Sequence, residues 1–221
     1  MEQERYLDEK YTLMSSKTRL TLEVTGAALF GALSLVLSAF TTPFLPRIPG
    51  WGIAIIDPVS ILWICCFLIF GPKSGLLCCT IGTLALLPFD NSGFIGPLMK
   101  FAATISLIIV PILILRLYKR SNKERNSQKY KKLHNYVITG ILGTILRVIV
   151  MTFLNILLFM TIYSNFLEFT DLSFLGLPGV SGWTAIIIGA ILINAETSVW
   201  DLLVPYLIVF GLKIDQKFEI W

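Results

Sequence analysis

Lys100, Arg147 and Glu196 place full charges inside apolar runs long enough to cross a bilayer. A charge held there costs at least about 2.5 kcal/mol, so such residues face a protein interior or a water-filled cavity and mark the paths of solutes and ions. At 1.5 Å per residue from Phe94, Lys100 lies about 9 Å below the outer edge of its segment. Arg147 and Glu196 fall near mid-depth of the last two segments, where each is a counter-charge for the other. The two form either an ion pair that locks helices or part of a solute site. Lys100 has no acid at its own depth on a neighbouring segment, which favours a solute contact. Asp57, in an outer loop, is the residue that could neutralise it instead. Asn155 and Asn194 complete the embedded polar set, as hydrogen bonds between helices or as solute contacts. Trp51 and Trp183 mark outer entrances, where tryptophan serves as an interface anchor or a binding platform.

Gly179-Val180-Ser181-Gly182, followed by Gly189 in an apolar stretch, looks like the Gly-x-Ser-Gly of rhomboid intramembrane proteases. A serine nucleophile needs an adjacent base. The one histidine, His134, belongs to the inner end of the fifth segment and Ser181 to the outer end of the sixth, so most of a bilayer separates them. Gly71-Pro72-Lys73-Ser74-Gly75 lacks the glycine and lysine spacing of a phosphate loop. The four cysteines occur as the adjacent pairs Cys65, Cys66 and Cys78, Cys79, without the spacing of a zinc site or a disulfide framework. They read as small packing residues. No catalytic residue, metal or cofactor is expected.

The elements that position these residues follow from composition. Of 221 residues, 55% are hydrophobic and 14% charged, and the mean hydropathy is +0.77. That leaves too little polar surface to coat a soluble globule. Apolar segments near 20–42, 53–70, 74–89, 94–118, 135–163 and 183–212 predict an all-α bundle of six transmembrane helices. The second and third are short for a core of about 30 Å and form either tilted crossings or a shallow hairpin. Both alternatives leave the termini on one side. Fifteen of the 18 Lys and Arg residues then share that side, with Arg47 alone opposite. The positive-inside rule makes it cytoplasmic: an N-terminal segment 1–19, a basic loop 116–132 and a C-terminal tail 213–221 around a membrane domain 20–212. This placement also accounts for the net charge of +4 without a nucleic-acid partner.

In the first segment Ala27, Gly31, Ser34 and Ser38 recur at helical spacing, with Ala28 and Ala32 as a second small pair beside them. Small faces let helices approach closely in lipid, inside the bundle or against another protein. The Ala28-xxx-Ala32 pair, Ile56-Asp57-Pro58 leading into Phe70-Gly71-Pro72-Lys73-Ser74-Gly75, the run Ile95 to Thr104 and Asn155 before Tyr163 together carry a resemblance. Over nearly all of residues 20–212 the chain resembles the substrate-binding S components of energy-coupling factor (ECF) vitamin transporters, nearest to the riboflavin type. The resemblance implies a cell-membrane subunit that captures a vitamin-like solute near the outer face. It implies docking, through Ala28, Ala32 and the adjoining Gly31, on a transmembrane coupling protein driven by two cytoplasmic ATPases. The external stretch Pro43 to Trp51 would help cover the solute. Lys100 stands where riboflavin-type members tend to have asparagine, and Glu196 follows Asn194 in the last segment. A cation there would suit a carboxylate or phosphate, so pantothenate, another anionic vitamin or a flavin phosphate stand beside riboflavin. The alternatives of another class are a rhomboid-like protease and a non-transport assembly protein.

Overall fold

A computed structural model describes residues 16–41, 44–45, 56–90, 92–118 and 126–218. Helix α1 spans Ser16–Thr41, α2 Pro58–Phe70, α3 Pro72–Leu86, α4 Ile95–Tyr118, α5 Asn126–Lys131, α6 Leu133–Thr161, α7 Gly182–Tyr206 and α8 Asp215–Phe218. Among the described residues four helical stretches are long and apolar enough to cross a membrane: Lys17–Thr41, Ile95–Leu117, Leu133–Thr161 and Gly182–Gly211. The last joins α7 to a π-helical turn, Leu207–Gly211, that follows Pro205. Proline removes a backbone donor, and a locally widened helix re-satisfies the carbonyls it frees.

The two remaining apolar helices are short. At 1.5 Å per residue, the 13 residues of α2 rise about 20 Å, less than the hydrocarbon core. Eleven of those residues, including Trp63 and Phe67, are buried, so α2 is the centre of the bundle and meets protein on every side. It packs against α1, α3, α4 and α7, while α4 lies on α6 and α6 on α7. Its start is written in Asp57-Pro58: the Asp57 carboxylate accepts from the Val59 backbone N at 3.0 Å, and proline suits the first helical position. Its end is Gly71, at φ +95° and ψ −177°, a conformation that favours glycine. Pro72 then opens α3 at once, so the two helices meet at a near-loopless corner.

The small residues of α1 divide between two faces. Ala27, Gly31 and Ser34 are buried, whereas Ala28 and Ala32 are exposed. A Cβ on Gly31 would stand 2.9 Å from Ile81 Cγ2 of α3, so Gly31 serves the bundle's own packing and leaves the outward face to Ala28 and Ala32.

Between α6 and α7 the chain forms 3-10 turns and a small antiparallel pair, β1 (Asp171–Leu172) and β2 (Leu177–Ser181), an element absent from an all-helical expectation. Backbone and side-chain hydrogen bonds from Ser173 hold the exposed Asp171 carboxyl below its usual range. At the opposite end, Tyr206 Oη donates to the Lys131 carbonyl at 3.0 Å and Tyr136 Oη to that of Leu202 at 2.8 Å, tying α5 and α6 to α7.

Candidate functional site

Helical phase brings the embedded polar residues to one place. Arg147, Met151 and Asn155 follow one another at four-residue spacing, so they share a face of α6. Asn194, Thr197 and Asp201, spaced by three and then four residues, likewise share a face of α7. Lys100 and Thr104 lie one turn apart on α4. The three faces converge on a cavity of about 1080 Å³ whose wall includes Asp57, Ser60, Lys100, Thr104, Arg147, Asn155, Asn194 and Thr197. Its apolar surface comes from aliphatic side chains of α1 and from Phe40, Phe89, Phe159, Tyr163 and Phe166. A large, mostly apolar cavity with a few converging polar groups is the usual form of a small-molecule site.

Two ion pairs cross the helices at this wall. Lys100 Nζ donates to Asp57 Oδ2 at 2.7 Å, with side chains 29% and 18% exposed. Deeper, Arg147 Nη1 reaches Asp201 Oδ2 at 2.5 Å, with side chains 8% and 1% exposed. Arg147 also donates from Nη2 to Thr197 Oγ1 at 3.0 Å and from Nε to Asn194 Oδ1 at 3.3 Å. The other Asp201 oxygen accepts from Ser60 Oγ at 2.6 Å. The guanidinium is thus occupied on three sides, while among the described residues Lys100 meets Asp57 alone and has two further donors for another acceptor.

Five of the residues expected from sequence, Lys100, Asp57, Arg147, Asn155 and Asn194, therefore line one cavity. Asp57 neutralises Lys100, the alternative left open above. The expected pairing of Arg147 with Glu196 is corrected to Asp201. At 100° per residue Glu196 sits about 200° round the helix from Asn194, whereas Asp201 returns to within about 20°. Glu196 is exposed on the outer face of α7, away from the cavity wall, and accepts from Trp200 Nε1 at 2.6 Å. Trp51 and most of the stretch 43–51 lie outside the described residues. Asp201, Ser60 and Thr197 went unread in the sequence. The polar stripe Asn194, Thr197, Ser198, Asp201 was the signal that could have found them.

His134 opens α6, a helix of 29 residues that rises about 43 Å, and Ser181 follows that helix's far end. Both are exposed, and the length of the helix separates them. Among the described residues no group of three or more His, Cys, Asp or Glu side chains forms a metal site.

The family model described as "ECF transporter, substrate-specific component" matches residues 22–211, nearly the whole membrane domain. The chain belongs to that family. No curated protein and no solved structure matches it. As an ECF substrate-specific component it is a substrate-binding transport subunit rather than an enzyme, which sets the protease reading aside. Membership also implies a small-molecule substrate and association with an ECF coupling protein and ATPases.

Proposed function

We propose that this subunit captures a vitamin or vitamin-like molecule in the cavity among α1, α2, α4, α6 and α7, with riboflavin or a related flavin as the first candidate. Lys100, Asp57, Asn155, Asn194 and Arg147 supply or support the polar contacts. Trp51 and the external stretch around it would cover the solute. The observation that carries this reading is the cavity itself: about 1080 Å³, with polar groups from four helices on a largely apolar wall, in a chain of a substrate-binding family. Its size is at the upper end of small-molecule pockets.

The subunit would cross the cell membrane six times, with α2 and α3 as the short second and third crossings. Residues 1–19, 116–132 and 213–221 would face the cytoplasm, supported by the one-sided distribution of Lys and Arg. Ala28 and Ala32 would dock on the coupling protein, which two cytoplasmic ATPases drive. Exposure of both alanines among Leu29, Leu33 and Val36 supports an outward apolar face with two shallow positions.

A thermal-shift screen of the detergent-purified protein against riboflavin, riboflavin 5′-phosphate, pantothenate, biotin, thiamine and folate tests the reading. A clear rise in Tm with one compound is expected, because a ligand that binds only the native state stabilises it by mass action. A folded protein that responds to none of the six contradicts it.

A further inference from the structure

We infer that the cavity selects against negative charge, so that its solute is uncharged, or at least not anionic, at the end that meets Lys100. The inference rests on the reading of the cavity as the solute site. A lysine and an arginine on a cavity wall would ordinarily suggest a carboxylate or phosphate ligand. Here both cations are already answered by acids belonging to the frame. Asp57 holds Lys100 at 2.7 Å and Asp201 holds Arg147 at 2.5 Å. Neither acid is free to swing away: Asp57 also caps α2 through the Val59 N–H, and Asp201 is fixed by Ser60. A third carboxylate, Asp90, also lines the cavity and accepts from the Ser92 backbone N at 2.9 Å.

Each of the two cations on the cavity wall is therefore already paired with a carboxylate. An anionic solute would have to share Lys100 with Asp57 at close range. Like charges brought together at close range in a binding site oppose association. A carbonyl or ring nitrogen can instead take the two remaining Lys100 donors without adding charge, and the hydrogen bond it gains is charge-assisted. The ion pair thus acts as a neutral, strongly polar hydrogen-bonding platform.

Three matched pairs test this by ligand-dependent unfolding in detergent: riboflavin against its 5′-phosphate, pantothenol against pantothenate, and biotinamide against biotin. In any pair that responds, the uncharged member should bind wild type about ten-fold or more tightly than the anion. The variant Asp57→Asn keeps an acceptor for the Val59 cap, since Asn and Asp cap equally well, and it leaves Lys100 unneutralised. The preference should then narrow or reverse. An anion that binds wild type as tightly as its uncharged partner overturns the inference, as does an unchanged preference in Asp57→Asn. Silence from all six compounds, and from thiamine and folate as well, removes the vitamin-site reading, and the inference falls with it.

Discussion

Replacing Asp201 by alanine isolates the deeper ion pair. The carboxylate is 1% exposed and its Arg147 partner 8%, so removing one partner leaves a charge that water cannot reach. Breaking a buried pair in this way costs about 3–5 kcal/mol. Ser60 Oγ also loses its acceptor, which places the expected loss in the upper part of that range. For a chain of 221 residues, at about 2–4 °C per kcal/mol, a loss of about 4–5 kcal/mol lowers Tm by about 8–20 °C. Asp201→Asn retains a carbonyl acceptor at the same place and should lose less. Removing both charges, as Arg147→Met with Asp201→Leu, should recover much of the loss, because a buried pair pays heavily for its own desolvation. Glu196→Ala is the control. Its side chain is exposed and bonded only locally to Trp200, so its effect should stay within about 0.5 kcal/mol. Tryptophan fluorescence during heating in detergent reads all four variants. The reasoning is refuted if Asp201→Ala unfolds within about 1 kcal/mol of wild type, or if Glu196→Ala is equally damaging.

On α1 the two small faces should separate experimentally. Ala28→Trp and Ala32→Trp, on the outward face, should retain solute binding and lose uptake in cells, and full uptake by both variants would exclude this face from docking. Gly31→Leu should instead lower thermal stability by about 1–3 kcal/mol, since its first side-chain carbon already meets Ile81 at 2.9 Å; an unchanged Tm would show that α3 yields to it.

Much of this architecture was legible because lipid leaves few choices. Backbone groups in hydrocarbon must bond internally, so the long apolar runs around Leu35, Leu107, Leu146 and Ile193 could only be helices. Asp57-Pro58 and Gly71-Pro72 marked the two ends of α2 by cap and corner chemistry. The site residues on α4 and α6 were legible from depth alone, because Lys100 and Arg147 are too costly to face lipid. On α7 depth misled: Glu196 matches Arg147 in height but lies on the wrong side of the helix, and only the angular position favours Asp201. The hairpin Asp171–Ser181 was not legible. Its strands are of two and five residues, too short for alternation to register, and it depends on Gly176 and Gly179 at positive φ and on packing of Leu172, which is fully buried. The opposite roles of Gly31 and Ala32 were hidden for a similar reason. A small residue permits close approach, but the sequence does not say to what.

Identifying what the purified protein carries tests the central claim most directly. Protein from cells grown in rich medium would be denatured and the released small molecules measured by mass spectrometry, with Lys100→Ala prepared alongside. Wild type should release one vitamin-sized compound at close to one per chain. Lys100→Ala, folded but lacking the donors that face the cavity, should release it at least about ten-fold less, the effect of losing one charge-assisted hydrogen bond. Equal release from both proteins, or none from a folded wild type, would contradict the assignment of this cavity as the solute site.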